Sequence, residues 1–200
     1  VVEGYGLKVK DRTCQLNINP DDVEQLNKIL TNKGIGHDER FIVLHTSGNW
    51  FLKRWPQVSF ARLIEKIHHR LKLKVILSGS HSDLSVCESI NQLAGNLAIV
   101  LAGETNLGQS LALFCRAEVL VSSDSGPLHL SQAVGGNAIG LFGPTRPDIT
   151  GPRGMGKAEI LFHEIGCNKP PCYHLSCTNN ICMQSISEED VLKTIQKFIN

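Results

Sequence analysis

No stretch of this 200-residue sequence approaches the roughly 18–20 consecutive apolar residues that cross a bilayer, so no transmembrane segment is expected. Residues 1–11 also lack the basic-then-apolar pattern of a secretory signal, and the chain reads as soluble, unexported and cytoplasmic. An excess of charge of one sign is missing too. Twenty Lys and Arg stand against nineteen Asp and Glu, a formal net charge of +1, so no broad positive field is available to hold a nucleic acid. Phosphate recognition, where it occurs, has to be local. Cysteine is too sparse for a disulfide scaffold, and its count of seven is odd, which excludes a fully paired framework. Charged residues make up only 20% and apolar ones 42% of the chain, a balance that buries a core and argues against disorder.

Several chemical signatures are absent as well. There is no G-x-x-x-x-G-K-S/T loop and no G-x-G-x-x-G after a strand, which disfavours a P-loop NTPase and an ordinary dehydrogenase. No Asp-x-Asp pair stands ready to hold a divalent ion against a diphosphate, and no G-x-S-x-G elbow supports a hydrolase. A bound diphosphate would then be stabilised by protein dipoles and cations, with no obligatory metal.

What is present is a repeated alternation of short apolar runs with longer stretches of helical spacing. Asn19-Pro20-Asp21-Asp22 has the makeup of a helix start, with a capping Asn, Pro in the first turn and acids beside it, and Gly34 is placed to end that helix. Strands are expected at 41–44, 74–77, 98–101, 119–122, 137–142 and 159–162. Helices are expected at 58–71, 84–93, 107–116, 128–134 and 187–199. The pattern predicts an α/β Rossmann-like parallel sheet with helices on both faces. A leading segment, 1–40, packs on the domain formed by 41–200. Within that domain 163–185 is Cys-rich and 187–199 closes the chain as a helix. Ligands of such a sheet gather beyond the carboxyl ends of its strands, which directs attention to the strand-to-helix loops.

Loop 122–130 holds the strongest local signal, Ser122-Ser123-Asp124-Ser125-Gly126-Pro127-Leu128-His129-Leu130. A strand there breaks into a tight turn that opens a helix, and the free amides of a helix start attract anions. Gly126 permits close approach to the backbone, and His129 lies one turn inside the helix, within reach of a phosphate or sugar oxygen. The plainer alternative is that Asp124 or Ser125 is an ordinary N-cap. Loop 45–56 supplies Thr46, Ser47 and the Gly48 amide for one phosphate and the Lys53 ammonium for the other, although Lys53 and Arg54 also fit a solvated pair. Glu104 and Thr105, in loop 102–106, are placed to face an adenine or ribose, or else belong to turn and cap chemistry.

Cys14, Cys87 and Cys115 sit among apolar neighbours and read as small buried hydrophobes. Cys167, Cys172, Cys177 and Cys182 recur as C-x4-C-x4-C-x4-C. That spacing departs from paired C-x2-C knuckles and leaves a structural zinc, disulfides and reduced packing thiols as alternatives.

Four of these loops together carry a resemblance: K-R-W-P at 53–56, G-E-T-N-L at 103–107, D-S-G-P-L-H-L at 124–130 and L-F-G-P-T at 141–145. In that order they resemble the glycosyltransferase family 9 heptosyltransferases of lipopolysaccharide core assembly, and the tail with Cys172, Cys182 and Met183 looks like the end of the same family. The resemblance runs from about Phe41 to the C-terminus. It implies a GT-B fold of two Rossmann-like domains, of which this chain is the C-terminal, donor-binding half. It also implies that Lys53 contacts the diphosphate or sugar of ADP-heptose and acts by stabilising the leaving group. Thr46 and Ser47 contact phosphate by the same analogy, while Asp124, Ser125, Gly126 and His129 bind the sugar diphosphate, and residues around Thr105 meet the adenosine.

The family's reaction inverts the anomeric centre. Its acceptor surface, for the lipopolysaccharide core, and its catalytic Asp lie on an N-terminal domain that has no counterpart here. The expectation is a fragment that is inactive alone, with the complete protein cytoplasmic and peripheral at the inner membrane. The alternatives are a non-catalytic nucleotide-sugar or phosphate-binding module, and a transferase of the same family with another nucleotide-sugar.

Overall fold

A computed structural model describes residues 6, 8, 11, 13–48, 50–166, 172 and 177–199. The first helix, α1 (Pro20–Asn32), begins as its residues dictate: the Asn19 side chain accepts from the Asp21 amide at 3.0 Å, with Pro20 in the first turn. Its end is a Schellman turn. Gly34, at φ +77°, lets its own amide reach Thr31 O at 2.9 Å and the Ile35 amide reach Leu30 O at 2.9 Å. Leu30 and Ile35 are both buried at that turn, so the backbone reversal is locked by apolar contact.

Six strands follow: β1 (Phe41–His45), β2 (Lys74–Ser78), β3 (Ile99–Val100), β4 (Val119–Ser123), β5 (Ala138–Phe142) and β6 (Ala158–Phe162). All pair in parallel, in the order β3-β2-β1-β4-β5-β6. The chain thus winds outward from β1 in one direction and, after β3, returns to lie on the other side of β1. β4 and β5 are buried along their whole length, as expected for parallel strands covered on both faces.

The connecting helices are α2 (Gln57–Lys66), α3 (Leu84–Leu93), α4 (Leu107–Arg116), α5 (Gly126–Ala133), α6 (Pro147–Thr150), α7 (Ile181–Gln184) and α8 (Glu188–Ile199). Alternation along the strands sends Ile42, Leu44, Val75 and Leu77 into one core with residues of α2, α3 and α8. Phe41, Val43, Ile76 and Leu120 enter the other, with α1 and α4. Trp55 anchors the first core: its ring meets Phe60 edge-on at 4.9 Å and its Nε1 donates to Ile186 O at 3.0 Å.

The expected strands and long helices are all present, with physical reasons where the limits move. β3 is shorter than 98–101 because the Ala98 amide donates to the Asn91 side chain at 2.9 Å, diverting it from strand pairing. The stretch 58–71 divides into α2 and a five-residue π turn, Ile67–Leu71, which stops at Lys72 in the left-handed region. Cys87 is buried as expected, but Cys14 and Cys115 are exposed. Cys14 lies on a surface segment bridged to Gly154. Cys115 follows the buried run Leu111–Phe114 and falls on the solvent side of α4.

At the start of α4, Asn106 and Gln109 form a reciprocal capping box: the Asn106 side chain accepts from the Gln109 amide at 2.8 Å, and Gln109 Oε1 accepts from the Asn106 amide at 2.9 Å. Asn106→Ala is expected to lower stability by about 1 kcal/mol, read as a shift in the urea midpoint with the slope unchanged.

Candidate donor-binding site

The sheet order reverses between β1 and β4, so the loops leaving these neighbouring strands diverge and open a crevice at their carboxyl ends. His45 closes β1 opposite Ser78 on one side and Ser122 on the other. Loop 45–56 and the β4–α5 turn therefore stand side by side. Gly48 is close to the end of β4, since an added Cβ would lie 3.5 Å from Ser123 Oγ.

Three expected site residues meet here. Lys53, at the end of a short 3-10 turn over Phe51–Lys53, donates to Asp124 Oδ2 at 2.7 Å and to the Asp124 carbonyl at 3.2 Å. His129 Nε2 lies 3.7 Å from Asp124 Oδ1, ion-pair distance when the imidazole is protonated. Asp124 itself is buried, with Lys53 partly accessible and His129 more so. Burial works to raise the Asp124 carboxyl, but the His129, Lys53 and Thr145 groups beside it outweigh that and hold it well below the usual carboxylate range. The carboxylate is therefore charged throughout the physiological range.

Ser125 occupies the N-cap position of α5, yet its side chain makes no capping hydrogen bond; its Oγ pairs with Ser122 Oγ at 2.9 Å. The ordinary-cap alternative therefore does not hold for Ser125, and the Asp124 side chain is committed to Lys53. An added Cβ at Gly126 would meet nothing within 4 Å, and its φ is not positive. Neither packing nor backbone strain explains this glycine, whereas open backbone at a helix start suits an anion.

Other expected ligands face elsewhere. Thr46 and Ser47 are buried. Thr46 Oγ1 lies 3.4 Å from Cys87 Sγ, and Ser47 supports the Asp83 carboxylate. The Thr46 hydroxyl is thus turned toward the core at Cys87, and that of Ser47 toward the half-buried Asp83 in the neighbouring loop. Glu104 pairs with Lys33 Nζ at 2.6 Å and Thr105 Oγ1 with Ser110 Oγ at 2.9 Å, both beyond β3 and apart from the Lys53–Asp124 pair.

Two residues were missed by sequence reasoning. Thr150, closing α6, donates to Asp124 Oδ2 at 3.2 Å. Thr145 Oγ1 is buried close enough to Asp124 to favour its charged form, but forms no hydrogen bond of good geometry. Thr145 stands in the L-F-G-P-T run and was within reach of that signal. Nothing in the sequence marked Thr150, whose position depends on a four-residue helix.

Beside this site a cavity of about 630 Å³ is lined by Gly143, Pro144, Arg146, Cys172, Cys177 and Cys182, among others. Among the described residues no group of three or more His, Cys, Asp or Glu is placed to hold a metal ion. Cys167, the remaining member of the expected zinc set, lies outside them. No helix among the described residues is long and apolar enough to cross a membrane.

The doubly wound parallel sheet thus brings a cation, a charged carboxylate and an uncapped helix start together at its switch point, the place where ligands of such sheets bind. The family is specific: residues 2–181 match glycosyltransferase family 9 (heptosyltransferase), and the chain belongs to it. The match begins upstream of Phe41, where the recognised motifs start, so it takes in α1.

Lipooligosaccharide heptosyltransferase 2 of Haemophilus influenzae is 36% identical over 113 residues, which cover 54% of this chain and 32% of the relative. Among solved structures, the glycosyl transferase family 9 protein of Veillonella parvula superposes with a TM-score of 0.81 at 22% identity, covering 98% of this chain and 57% of that one. The ADP-heptose lps heptosyltransferase II of E. coli gives 0.72 at 23%, covering 92% and 53%. The chain spans about half or less of the length of these proteins.

Proposed function

We propose that this chain is the donor-binding half of an inverting heptosyltransferase that moves heptose from ADP-heptose to the lipopolysaccharide inner core. The acceptor surface and the general base would come from an N-terminal domain outside this sequence. The complete protein would act in the cytoplasm, peripheral to the inner membrane. In this reading an acceptor hydroxyl attacks the anomeric carbon, its proton passes to the base, and the bond to the diphosphate oxygen breaks with ADP departing. Negative charge grows on that diphosphate. The amides at the open start of α5 and the Lys53 ammonium stand where such charge is stabilised without a metal.

The observation that carries this reading is the Lys53–Asp124 contact at 2.7 Å beside an α5 start with no side-chain cap. An ionised carboxylate repels a diphosphate, so Asp124 serves the donor by orienting Lys53 and by accepting hydrogen bonds from sugar hydroxyls. In this reading His129, exposed one turn into α5 and beside Asp124, donates to phosphate. On the β2–β3 side Glu104 and Thr105 remain the groups for the nucleoside, with Thr46 and Ser47 shaping the loop that meets the phosphates.

Calorimetric titration of the chain with ADP and with ADP-heptose tests the reading. Saturable binding of both is expected, tighter for the sugar nucleotide and weakened when Asp124 is replaced by alanine. A folded chain that takes up neither ligand at millimolar concentration would remove the reading.

A further inference from the structure

The loop that carries Lys53 is tethered from behind by the C-terminal segment. The Asn180 side chain donates through Nδ2 to the Arg54 carbonyl at 2.8 Å, across 126 positions of sequence. The next residue, Trp55, donates from Nε1 to Ile186 O at 3.0 Å. Lys53, Arg54 and Trp55 are consecutive, so both tethers fall beside the residue whose ammonium meets Asp124.

Asn180 is only 7% exposed, and its carboxamide is oriented from both ends: Oδ1 accepts from the Cys182 thiol at 3.6 Å while Nδ2 serves Arg54. It stands at the N-cap position of α7, where an asparagine ordinarily accepts from an amide of its own helix, yet it makes no such bond. The turn is closed by backbone instead, with the Met183 and Gln184 amides on the Asn180 carbonyl at 3.1 Å each. The side chain is therefore not what holds α7. Its buried contact with Arg54 is the feature that needs a reason.

That reason lies in the local backbone. Phe51–Lys53 is a single 3-10 turn, closed by the Lys53 amide on Trp50 O and the Arg54 amide on Phe51 O, both at 3.0 Å. Such a turn is short and its hydrogen bonds are poorly aligned, so it does not hold its own exit. The chain leaves it extended, at Arg54 ψ 126°. Capture of the Arg54 carbonyl by Asn180 fixes the peptide at that exit, and with it the point from which the Lys53 stem departs. The Arg54 side chain also reaches back, Nε donating to Gly48 O at 2.9 Å, so one residue ties the cation to the glycine of loop 45–56.

We infer that Asn180 is a positioning residue for the donor site: by holding the Arg54 carbonyl it sets where the Lys53 ammonium stands against Asp124 and the diphosphate. This rests on the donor-binding reading above. A lysine is a compact charge on a flexible stem, and its contribution depends on the backbone that aims it.

Asn180→Ala, Lys53→Ala and the double variant, each titrated calorimetrically with ADP and melted without ligand, complete a cycle with the unchanged chain. Asn180→Ala is expected to weaken ADP binding by about tenfold when Lys53 is present and by no more than about twofold when residue 53 is alanine. Positioning through Lys53 requires that dependence, whereas a general loosening of the pocket lowers affinity in both backgrounds alike. Asn180→Ser repeats the cycle with a residue that caps α7 well but is too short to reach Arg54, and it decides the matter where the alanine variant does not fold. Unchanged ADP affinity in a folded Asn180 variant overturns the inference and leaves the donor site standing. An equal loss with and without Lys53 also overturns it, making Asn180 a support for the fold alone. If the unchanged chain takes up no ADP at millimolar concentration, the donor-binding reading fails first and this inference falls with it.

Discussion

On the reading proposed above, Lys53→Ala is expected to lower the kcat of heptose transfer by about 10²–10³-fold while leaving the protein folded. The ammonium sits 2.7 Å from a buried carboxylate and at the mouth of an uncapped helix start. On the proposed reading its charge serves two ends, holding Asp124 ionised in place and meeting the charge that develops on departing ADP. The second role is realised in the transition state more than in the ground state, so kcat should fall further than donor affinity.

Lys53→Arg keeps the charge but replaces a compact ammonium on a flexible stem by a planar fork, and only partial recovery is expected. Asp124→Asn, by contrast, removes the ion partner but preserves shape. If Lys53 acts on the leaving group directly, the asparagine variant keeps more activity than Lys53→Ala. Steady-state rates with ADP-heptose, accompanied by near-ultraviolet circular dichroism to verify packing, give the comparison. Unchanged kcat in Lys53→Ala would place leaving-group stabilisation elsewhere.

The legibility of this site in the sequence divides by the range over which its causes act. The Asn19 cap, the Gly34 turn and the strand periods are local, and they appear where residue chemistry places them. The parallel order follows from the alternation of strands and helices, so the crevice between β1 and β4 was accessible once the strands were found. Lys53, Asp124 and His129 could be grouped from the sequence because each stands in a loop leaving one of those two strands or in the first turn beyond it, and their side chains do meet.

The directions of Thr46 and Ser47 were not legible. Whether a loop hydroxyl faces a crevice or the core depends on partners such as Cys87 and Asp83, about 40 positions away in sequence. Thr150 escaped for a similar reason, since its contact with Asp124 requires a four-residue helix that has too few turns for a periodic pattern. The exposure of Cys115 had a signal that composition concealed: a helix face is set by angle, and one step beyond a buried run is enough to leave it.

Acid should destabilise the chain well before its buried carboxylates protonate, and the responsible group is His45, the last residue of β1. Burial pushes its imidazole from 6.5 down to about 4, against the opposing pull of the Asp83 carboxylate, and its Nδ1 lies 3.3 Å from Ser78 Oγ. Above pH 6.5 the ring is neutral folded or unfolded and contributes nothing to pH dependence. Between 6.5 and about 4 the unfolded chain binds a proton that the folded chain refuses, so stability falls by about 1.4 kcal/mol per pH unit, roughly 3 kcal/mol in all.

The carboxylates act in a different window. Asp83 and Asp124 are held below their ordinary 3.8, so their stabilisation is present above that value and is lost as the pH falls through their lower folded values. His45→Asn retains a polar group for Ser78 but cannot titrate. Urea midpoints at pH 7.0, 5.5 and 4.5 should therefore decline steeply in the unchanged chain and much less in the variant, with the two diverging below pH 6.5. Parallel declines would assign the acid sensitivity to another group. Since β1 delivers the loop that carries Lys53, protonation of His45 is expected to weaken the strand end that supports the Lys53–Asp124 pair.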